Sequence, residues 1–494
     1  MRILVTGGTG VIGAGVIHEL LDRGHGVRLL SRHAREDAKQ WDGVEAFAGD
    51  ISDAKSIAGA AADIDLVLHI AGIAEESDQA TFQQINVDGT RHVLDEAKSA
   101  GVPRIVYVSS LGADVGESDY HKSKFAAEQL VERSGLTWTI VRPGNVYGPG
   151  DEVVSLILKM VRALPAVPVI DSGDQEFQPI WHEDLAKILA SVCERDDLAS
   201  AVLEAAGRDI TTMNDLLARF GEITGRKPVR IPVPMALAQL TTRLGSLAVR
   251  LPVDENKLTM LSETNVVRGR DAAGSLGIDP IPLDDGLRRL ADALEEALPE
   301  EGVGALEHKR FYADIAGSSH SPASLMTLFR NQVTTLMPIE FAAEPGAAER
   351  IEQGATLTGS LPLRGNFQVR VEVAEPTHVV FATIEGHPLA GIVEFTTSES
   401  EGGIRFAVDV FARPSNMFDL IAVRTVGAPA QNANWRTLVR HVVEASGGTS
   451  DGVEQETRTL DDQEAQDVER RVRSMVQQRH REQQDGDSVR PDGR

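Results

Sequence analysis

Residues 1–22 read MRILVTGGTGVIGAGVIHELLD, and this stretch decides the fold of the first half of the chain. The apolar run Ile3 to Val5 predicts a buried strand, and the residues up to Leu21 have the spacing of a helix. Between them, glycines supply a tight turn, a close backbone approach to a pyrophosphate, and a close helix–strand contact. We therefore predict a dinucleotide-binding turn formed by Gly7, Thr9, Gly10, Val11, Ile12 and Gly13.

Short apolar runs and helical stretches alternate as far as Val141, which predicts an α/β fold with a doubly wound parallel sheet. We expect a small substrate subdomain mainly in residues 145–300, where helical segments are longer and connections are rich in proline, with the active cleft between the two parts. The predicted strands are Ile3 to Val5, Val27 to Leu30, Leu66 to Ile70, Ile105 to Val108 and Trp138 to Val141.

The segment PEEGVG at residues 299–304 ends this pattern, so the first domain is predicted to span residues 1–300. Residues 305–447 predict an α+β domain with antiparallel strands and a helix at residues 433–445. Residues 448–494 are polar and charged, and we predict a flexible tail. A charged helix at residues 462–484 that binds a partner is the alternative interpretation.

The net charge of −25 argues against a nucleic-acid partner, because such proteins need a cationic surface. Only ten of the 49 basic residues are lysine, a balance that resembles the acidic surfaces of proteins from salt-loving organisms. An ordinary acidic surface is the alternative.

The sequence predicts a cytoplasmic protein without a membrane span. No apolar run reaches the ~18 residues that a transmembrane helix needs, and the amino terminus reads as a strand instead of a signal peptide. Cys193, the single cysteine, falls in a helical apolar pattern, so we expect it to be buried and unable to form an intrachain disulfide. We predict no metal site.

The end of the second predicted strand indicates which dinucleotide is bound. Ser31 and Arg32 stand where an NAD-selective fold usually has a carboxylate for the ribose hydroxyls. Arg32, helped by Arg35, can pair with a 2′-phosphate, so NADP is favoured over NAD, with a solvated arginine as the alternative. Further cofactor contacts are predicted after the third and fourth strands, at Asp50 and Ile51 beside the adenine and at Ala71 and Gly72 against the cofactor backbone.

The fifth strand ends in Ser109-Ser110, and Tyr120 begins a helical segment ten residues later. Lys124 follows one turn on, so Tyr120 and Lys124 share a helix face. A lysine ammonium and the cationic nicotinamide would lower the pKa of the phenol from about 10, which allows Tyr120 to transfer a proton. Ser110 would hold the substrate oxygen. We predict a catalytic triad of Ser110, Tyr120 and Lys124, with Tyr120 and Lys124 also contacting the cofactor.

These motifs, with the segments at residues 86–90, 142–150 and 178–185, identify a resemblance to extended and atypical short-chain dehydrogenases/reductases. This family is also known as the NAD-dependent epimerase/dehydratase family, and the likeness covers roughly residues 1–298. It implies an oxidoreductase or epimerase/dehydratase acting on a carbonyl or hydroxyl substrate, and a homodimer is common in it. By resemblance, Asn86 and Pro143 lie near the cofactor, Asn145 near the substrate, and His182 at the subdomain junction in a structural or substrate-binding role.

Tyr120 follows Ser110 by only ten positions, whereas family members that act on nucleotide sugars have a much longer segment there. The short spacing resembles the atypical branch, which includes NADPH-binding relatives without known turnover. The alternative function is therefore a non-catalytic NADP(H)-binding scaffold or sensor. The complete triad favours catalysis.

Residues 308–446 resemble the helix-grip domains of the START/polyketide-cyclase type, on the stretches 386–395 and 413–416. The resemblance implies a curved antiparallel sheet around a long helix and a cavity for a lipophilic ligand. His387 or Arg413 could face that ligand, although turn and sheet-edge roles are the alternative.

Overall fold

The computed structural model forms two compact units. The first comprises Met1–Ile157, Pro168–Arg219 and Arg230–Leu290, and the second comprises Leu158–Val167, Phe220–Val229 and Ala291–Arg494. The second unit thus takes in two short segments of the region predicted to be the substrate subdomain. The described residues are 1–77, 80–151, 153–164, 166–234, 265–293, 298–342, 344–361, 365–384, 387–415 and 428–488.

The first unit is built on a seven-stranded sheet in which all paired strands run parallel, in the order β10-β6-β5-β4-β1-β2-β3. This confirms the predicted doubly wound α/β sheet. Two short two-stranded sheets, β7 with β9 and β8 with β11, accompany it. The strands are β1 Arg2–Thr6, β2 Gly26–Ser31, β3 Glu45–Ala48, β4 Leu66–His69, β5 Arg104–Val108, β6 Thr137–Pro143, β7 Val146–Tyr147, β8 Ala166–Ile170, β9 Ile180–Trp181, β10 Ala201–Ala205 and β11 Val229–Val233.

Helices alternate with these strands. A π-helical turn at Gln83–Asp88 precedes the third helix, and 3-10 turns occur at Ala38–Gln40, Asp196–Leu198 and Pro299–Glu301. The α-helices before residue 300 are α1 Val11–Asp22, α2 Ala34–Asp37, α3 Gly89–Ser99, α4 Asp119–Glu132, α5 Val154–Ala163, α6 His182–Cys193, α7 Met213–Thr224, α8 Ala272–Leu276 and α9 Leu283–Asp292.

Apolar side chains cover both faces of this sheet, as expected for parallel strands between two helix layers. Ile3 and Val5 of β1 belong to a buried cluster with α1 and α6, whereas Leu4 belongs to a cluster on the opposite face with α3 and α4. Cys193 is fully buried in the first cluster, which confirms its predicted role as a small apolar group. This packing fixes the carboxyl ends of the strands relative to one another.

The second unit contains an eight-stranded antiparallel sheet in the order β13-β14-β15-β16-β17-β18-β12-β19. The predicted antiparallel α+β character of this region is confirmed. The strands are β12 Glu307–Ala316, β13 Glu340–Phe341, β14 Thr356–Leu361, β15 Gly365–Ala374, β16 His378–Thr383, β17 Leu389–Ser400, β18 Gly403–Pro414 and β19 Glu454–Thr459, and the helices are α10 Pro322–Asn331, α11 Val333–Leu336, α12 Ala428–Ala445 and α13 Asp462–Ser488.

One face of the antiparallel sheet packs against α10 and α12. Aromatic side chains fill this interior: Phe311, Phe329, Phe395 and Phe406 are fully buried together with Leu438 of α12. A cavity of about 190 Å³ lies beside this core and is lined in part by charged and polar groups, Glu307, Lys309 and Gln431. Two residues of the helix-grip motifs, Gly386 and Asn416, lie outside the described residues.

Within the region predicted to be a flexible tail, Glu454–Thr459 form the strand β19 and Asp462–Ser488 form the helix α13. Strand β19 pairs with β12, and α13 packs its Val472 against Val380, Ala382 and Ile392 on the other face of the sheet. A narrow apolar stripe on α13 is enough to hold this helix against the sheet, because buried and half-buried ion pairs add to the contact. Sequence periodicity does not reveal such pairs, since their members are far apart in the chain. These pairs are Arg479–Glu372, Arg413–Glu469 and Arg471–Glu394.

Among the residues that the structure describes, no helix is both long enough and apolar enough to cross a membrane.

Candidate active site

The parallel strands bring their carboxyl ends to one edge of the sheet, which is where ligands bind in this architecture. A pocket of about 260 Å³ opens there in the first unit. It receives side chains from regions far apart in sequence, including all three residues of the predicted triad. The described lining residues are Ile12, Ile70, Gly72, Ile73, Ala74, Val108, Ser109, Ser110, Tyr120, Lys124, Pro143, Gly144, Asn145, Val146, Val153, Val154 and Asn265.

The glycine turn between β1 and α1 has the geometry that an anion-binding turn requires. Gly7 has a φ of +72°, and a Cβ at this position would lie 2.6 Å from the Ala71 nitrogen. A Cβ on Gly13 would lie 2.2 Å from the Gly7 oxygen. At Gly10, by contrast, a Cβ would meet no atom closer than 3.8 Å, which leaves room above the turn. Because the first N–H groups of α1 have no partners within the helix, this turn fits a pyrophosphate.

Thr9, Val11 and Ile12 surround Gly10 at this helix terminus. Thr9 is exposed, and Val11 and Ile12 are half-buried. Ile12 is the residue of the turn that reaches the pocket wall.

Arg32 follows β2 and is exposed, as is Arg35. The Ser31 hydroxyl donates a hydrogen bond of 2.5 Å to Asp37, so the fold brings a carboxylate to the end of β2 that the sequence pattern did not place there. Asp50 lies near Arg32. Burial opposes ionisation of Asp50, but hydrogen bonds from Ser52 and the charge of Arg32 outweigh it, and the pKa of Asp50 is lowered.

Ile51 is buried and packs against Gly89 at the start of α3. The structure thus brings Asp50 and Arg32 together beyond the end of β2. None of Arg32, Asp50 and Ile51 is among the described residues lining the pocket, as expected if they serve the distant, adenine end of a long ligand.

Asn86 is buried in the π-helical turn before α3, and such turns are frequent at functional sites. Its amide oxygen accepts from the Ile73 nitrogen at 2.8 Å, and its amide nitrogen donates to Ser123 at 2.9 Å. Gly72 lies beside it, since a Cβ there would be 3.0 Å from the Asn86 amide oxygen. Asn86 therefore ties the Ala71-Gly72 turn to α4 and does not itself line the described pocket.

Ser110 follows β5 and Tyr120 lies in the first turn of α4, whose amino-terminal cap is the Ser118 hydroxyl accepting from the His121 nitrogen. The Ser110 hydroxyl lies close enough to the Tyr120 phenol to affect its pKa. Burial raises the pKa of Tyr120, and the Ser110 hydroxyl acts in the opposite direction without cancelling this effect. In these surroundings the phenol of Tyr120 is therefore protonated at neutral pH.

Lys124 lies one helical turn after Tyr120 and is 4% exposed. Its ammonium donates to the Val108 carbonyl at 2.7 Å and lies 4.7 Å from the centre of the Tyr107 ring. Burial lowers the pKa of Lys124 to about 8, with Glu128 acting in the opposite direction. Lys124 is thus mostly charged at neutral pH, at the end of β5 where the predicted triad converges.

Pro143 and Asn145 follow β6 and line the pocket with Gly144 between them. His182 is not among the described residues that line the pocket. A Cβ on Gly148 would lie 2.2 Å from the His182 ring, and Trp181 stacks edge-on at 4.6 Å, so His182 fills space behind the segment 142–150. Of the two roles considered for His182, the surroundings favour the structural one.

Three site residues escaped the sequence analysis. Ser109 and Asn265 line the pocket, and Asp37 bonds Ser31 at the end of β2. Ser109 directly precedes Ser110 at the end of the same strand, so the pattern that identified Ser110 could also have identified Ser109. Asn265 is 154 residues from its hydrogen-bond partner Leu111, and nothing local marks it.

Comparisons with known proteins agree with this architecture. A family model described as NAD(P)H-binding matches residues 7–157, and one described as the RmlD substrate binding domain matches residues 116–234. The first match contains the glycine turn and the complete triad.

The chain is 30% identical over 236 residues to a ceramide reductase of Caulobacter vibrioides, spanning 47% of this chain and 74% of that protein. It is 30% identical over 270 residues to sterol demethylase protein B of Methylococcus capsulatus, spanning 48% and 79%. A solved UDP-glucose 4-epimerase of Thermotoga maritima covers 59% of this chain and 98% of its own, with a TM-score of 0.46 and 21% identity. Because the two relatives at 30% identity are matched over most of their length, this chain belongs to the NAD(P)-binding short-chain dehydrogenase/reductase family.

Proposed function

We propose that the first unit catalyses hydride transfer between a nicotinamide nucleotide and a carbonyl or hydroxyl carbon of a small molecule. The observation that carries this proposal is the convergence of Ser110, Tyr120 and Lys124 on one pocket. A scaffold or sensor that only binds NADP(H) would need the glycine turn but not this set of proton-transfer groups. The complete triad therefore favours catalysis.

When bound, the nicotinamide supplies or takes up the hydride. Ser110 donates a hydrogen bond to the substrate oxygen and orients it. During reduction, the protonated phenol of Tyr120 gives its proton to that oxygen. During oxidation Tyr120 accepts the proton, and the charged Lys124 favours the phenolate that accepts it.

The substrate of this reaction is proposed to be a carbonyl compound or alcohol with a largely apolar body. The pocket wall is rich in isoleucine and valine, and the matched relatives include a ceramide reductase and a sterol demethylase protein. A nucleotide sugar, processed by epimerisation or dehydration, is the second candidate because the family includes such enzymes. The ten-residue interval between Ser110 and Tyr120 weighs against it.

For the cofactor, we keep NADP as the favoured form on the strength of Arg32, whose exposed guanidinium can pair with a 2′-phosphate. Asp37 and Asp50 oppose this preference through their negative charge. Replacement Arg32→Ala is expected to weaken NADPH binding more than NADH binding, and Asp37→Asn to strengthen NADPH binding, as measured by nicotinamide fluorescence titration. Equal changes for the two nucleotides would contradict an NADP preference set by Arg32.

The test of catalysis is Tyr120→Phe. We expect kcat/KM for ketone reduction to fall by about 10²- to 10⁴-fold, the usual contribution of a positioned proton donor, while cofactor affinity stays within about threefold. Tyr312→Phe, which removes a hydroxyl from the second unit, is the matched control and should leave the rate unchanged. Undiminished turnover in Tyr120→Phe, or full cofactor binding by a wild type that turns over no carbonyl compound, would favour the scaffold.

For the second unit, the antiparallel sheet packed against α12 supports the helix-grip interpretation, which we retain as a proposal. Aromatic side chains fill the interior of the described sheet, which argues against a lipophilic ligand there. The described cavity is small, and the Lys309 ammonium within it contacts Glu307 at 3.1 Å and Gln431 at 3.2 Å. A ligand of this cavity would therefore be small and polar. His387 bonds the backbone of Leu389, and Arg413 pairs with Glu469, which favours their structural roles.

A further inference from the structure

Three buried oxygen atoms on the wall of the catalytic pocket lack a hydrogen-bond partner among the described residues. They are the Ser109 hydroxyl and the amide oxygens of Asn145 and Asn265. An unpaired buried acceptor costs about 1–3 kcal/mol, and most buried polar atoms in folded proteins have a partner. Three such atoms on one pocket wall indicate that the partners come from a ligand.

The orientation of Asn265 is fixed by its other contacts. Its amide nitrogen donates to the Leu111 carbonyl at 2.9 Å, and its backbone is held by hydrogen bonds to Glu176 and Gln178. A carbonyl oxygen can only accept, so the amide cannot be turned over to present its own oxygen to Leu111. The Asn265 amide oxygen is therefore a fixed acceptor on the side away from Leu111.

This acceptor lies near the reacting end of the pocket. A Cβ on Gly144 would be 3.5 Å from the Asn265 amide oxygen, and Leu111 directly follows Ser110 in the chain. Most of the remaining wall is apolar, formed by Ile12, Ile70, Ile73, Val108, Val153 and Val154. The pocket therefore combines a hydrocarbon surface with a fixed acceptor beside the triad.

We propose that Asn265 is a specificity residue whose amide oxygen accepts a hydrogen bond from an N–H or O–H group next to the reacting carbon of the substrate. This inference rests on the proposed function and narrows it to α-hydroxy or α-amido ketones, and the corresponding alcohols, on an apolar chain. A ketone without a neighbouring donor would leave the acceptor buried and unpaired, and the pocket discriminates against it.

Two matched pairs of probes test this inference with the full chain and its preferred nucleotide. The first pair is an aliphatic α-acetamido ketone and its N-methyl analogue, and the second is an α-hydroxy ketone and its O-methyl ether. The wild type should prefer the donor-bearing ketone of at least one pair by about tenfold or more in kcat/KM, as the cost of an unpaired acceptor implies. In Asn265→Leu, this ratio of kcat/KM values should fall to within about twofold of the ratio that the difference in size between the two ketones would produce by itself. The fall should come from slower turnover of the donor-bearing ketone.

Asn366→Leu is the matched control. Asn366 is likewise buried and donates to a backbone carbonyl, that of Thr224, but it lies in the second unit, so its loss should not change the preference. If Asn265→Leu does not fold, Asn265→Ser, which shortens the side chain, should abolish the preference in the same way. An unchanged preference in either Asn265 variant, with turnover retained, overturns the specificity role but leaves the proposed hydride transfer intact. Tyr120-dependent turnover of ketones without a neighbouring donor at equal efficiency also overturns it.

Discussion

The two units of this protein differ in where their buried polar side chains lie and in what these side chains contact. In the parallel sheet, the ends of β1, β2, β4, β5 and β6 meet at one edge, and the chemistry-bearing residues collect there. In the antiparallel sheet, successive strands end on opposite sides. In the unit that contains this sheet, buried charges instead form ion pairs with one another, as in Arg479–Glu372 and Arg162–Glu344.

This difference shows what each unit gains from its polar residues. The pocket of the first unit retains a buried ammonium at Lys124, a protonated phenol at Tyr120 and three oxygens without a hydrogen-bond partner among the described residues, an arrangement that suits a ligand and not stability. The buried ion pairs of the second unit instead connect elements that are far apart in the chain, as Arg479–Glu372 connects α13 to β15. Removing a polar group should therefore harm function in the first unit and stability in the second.

The largest expected effect on stability is in the second unit. Arg479 and Glu372 are 5% and 0% exposed, and Arg479→Met leaves the carboxylate buried without its nearest guanidinium. We expect a loss of about 3–5 kcal/mol in the free energy of unfolding, measured by denaturant titration. Arg479→Met combined with Glu372→Leu should recover most of this loss, because neither charge of this pair is then left buried without the other.

Arg405→Met is the control for that experiment. It breaks an ion pair with Asp314 that is 38% and 47% exposed, and the expected cost is below about 1 kcal/mol. Similar losses for Arg479→Met and Arg405→Met would show that α13 is not held by the buried pair.

A smaller effect of opposite sign is expected at Lys124. Its pKa of about 8 in the folded chain compares with about 10.4 in an unfolded one, so between these pH values the unfolded state binds more protons and stability rises with pH. Lys124→Met removes a charge whose burial is unfavourable, and it should raise the free energy of unfolding at pH 7 by roughly 2 kcal/mol while activity is lost.

This gain should disappear as the pH rises from about 8 to 10.4, and unfolding measured across that range checks the sign. Lys122→Met, an exposed substitution on the same helix, should change stability by less than about 0.5 kcal/mol. A destabilised Lys124→Met variant at pH 7 would mean that the lysine serves folding as well as chemistry.

The features that the sequence predicted correctly depend on residues close together in the chain. The turn at Gly7, Gly10 and Gly13 and the pair Tyr120 and Lys124 are local patterns, and the parallel order of the sheet makes their meeting point predictable. The roles assigned to these residues stay predictions until they are tested. Asn265 could not be found in this way, because only the folded chain brings it to Leu111.

Two other differences have the same origin. Asp37 reaches Ser31 through the short helix α2, and a strand pattern cannot anticipate that hydrogen bond. The carboxyl-terminal region has a polar sequence, but this does not prevent it from packing. Strand β19 is held by backbone pairing with β12 at the edge of the sheet, and α13 is held by a narrow apolar stripe around Val472 together with its ion pairs. Amino-acid composition does not predict this packing, because it gives the number of charged residues but not which of them form ion pairs in the folded chain.

The central claim, that the first unit binds a nicotinamide nucleotide at the strand edge, is tested most directly by titrating the full chain with NADPH and NADH. We expect saturable binding that Gly7→Ala weakens by more than tenfold, because the added Cβ would lie 2.6 Å from the Ala71 nitrogen and displace the turn. Gly402→Ala, also at positive φ but with no atom within 4 Å, should bind like the wild type. Absence of binding by the wild type, or equal affinities in a folded Gly7→Ala variant, would contradict this claim.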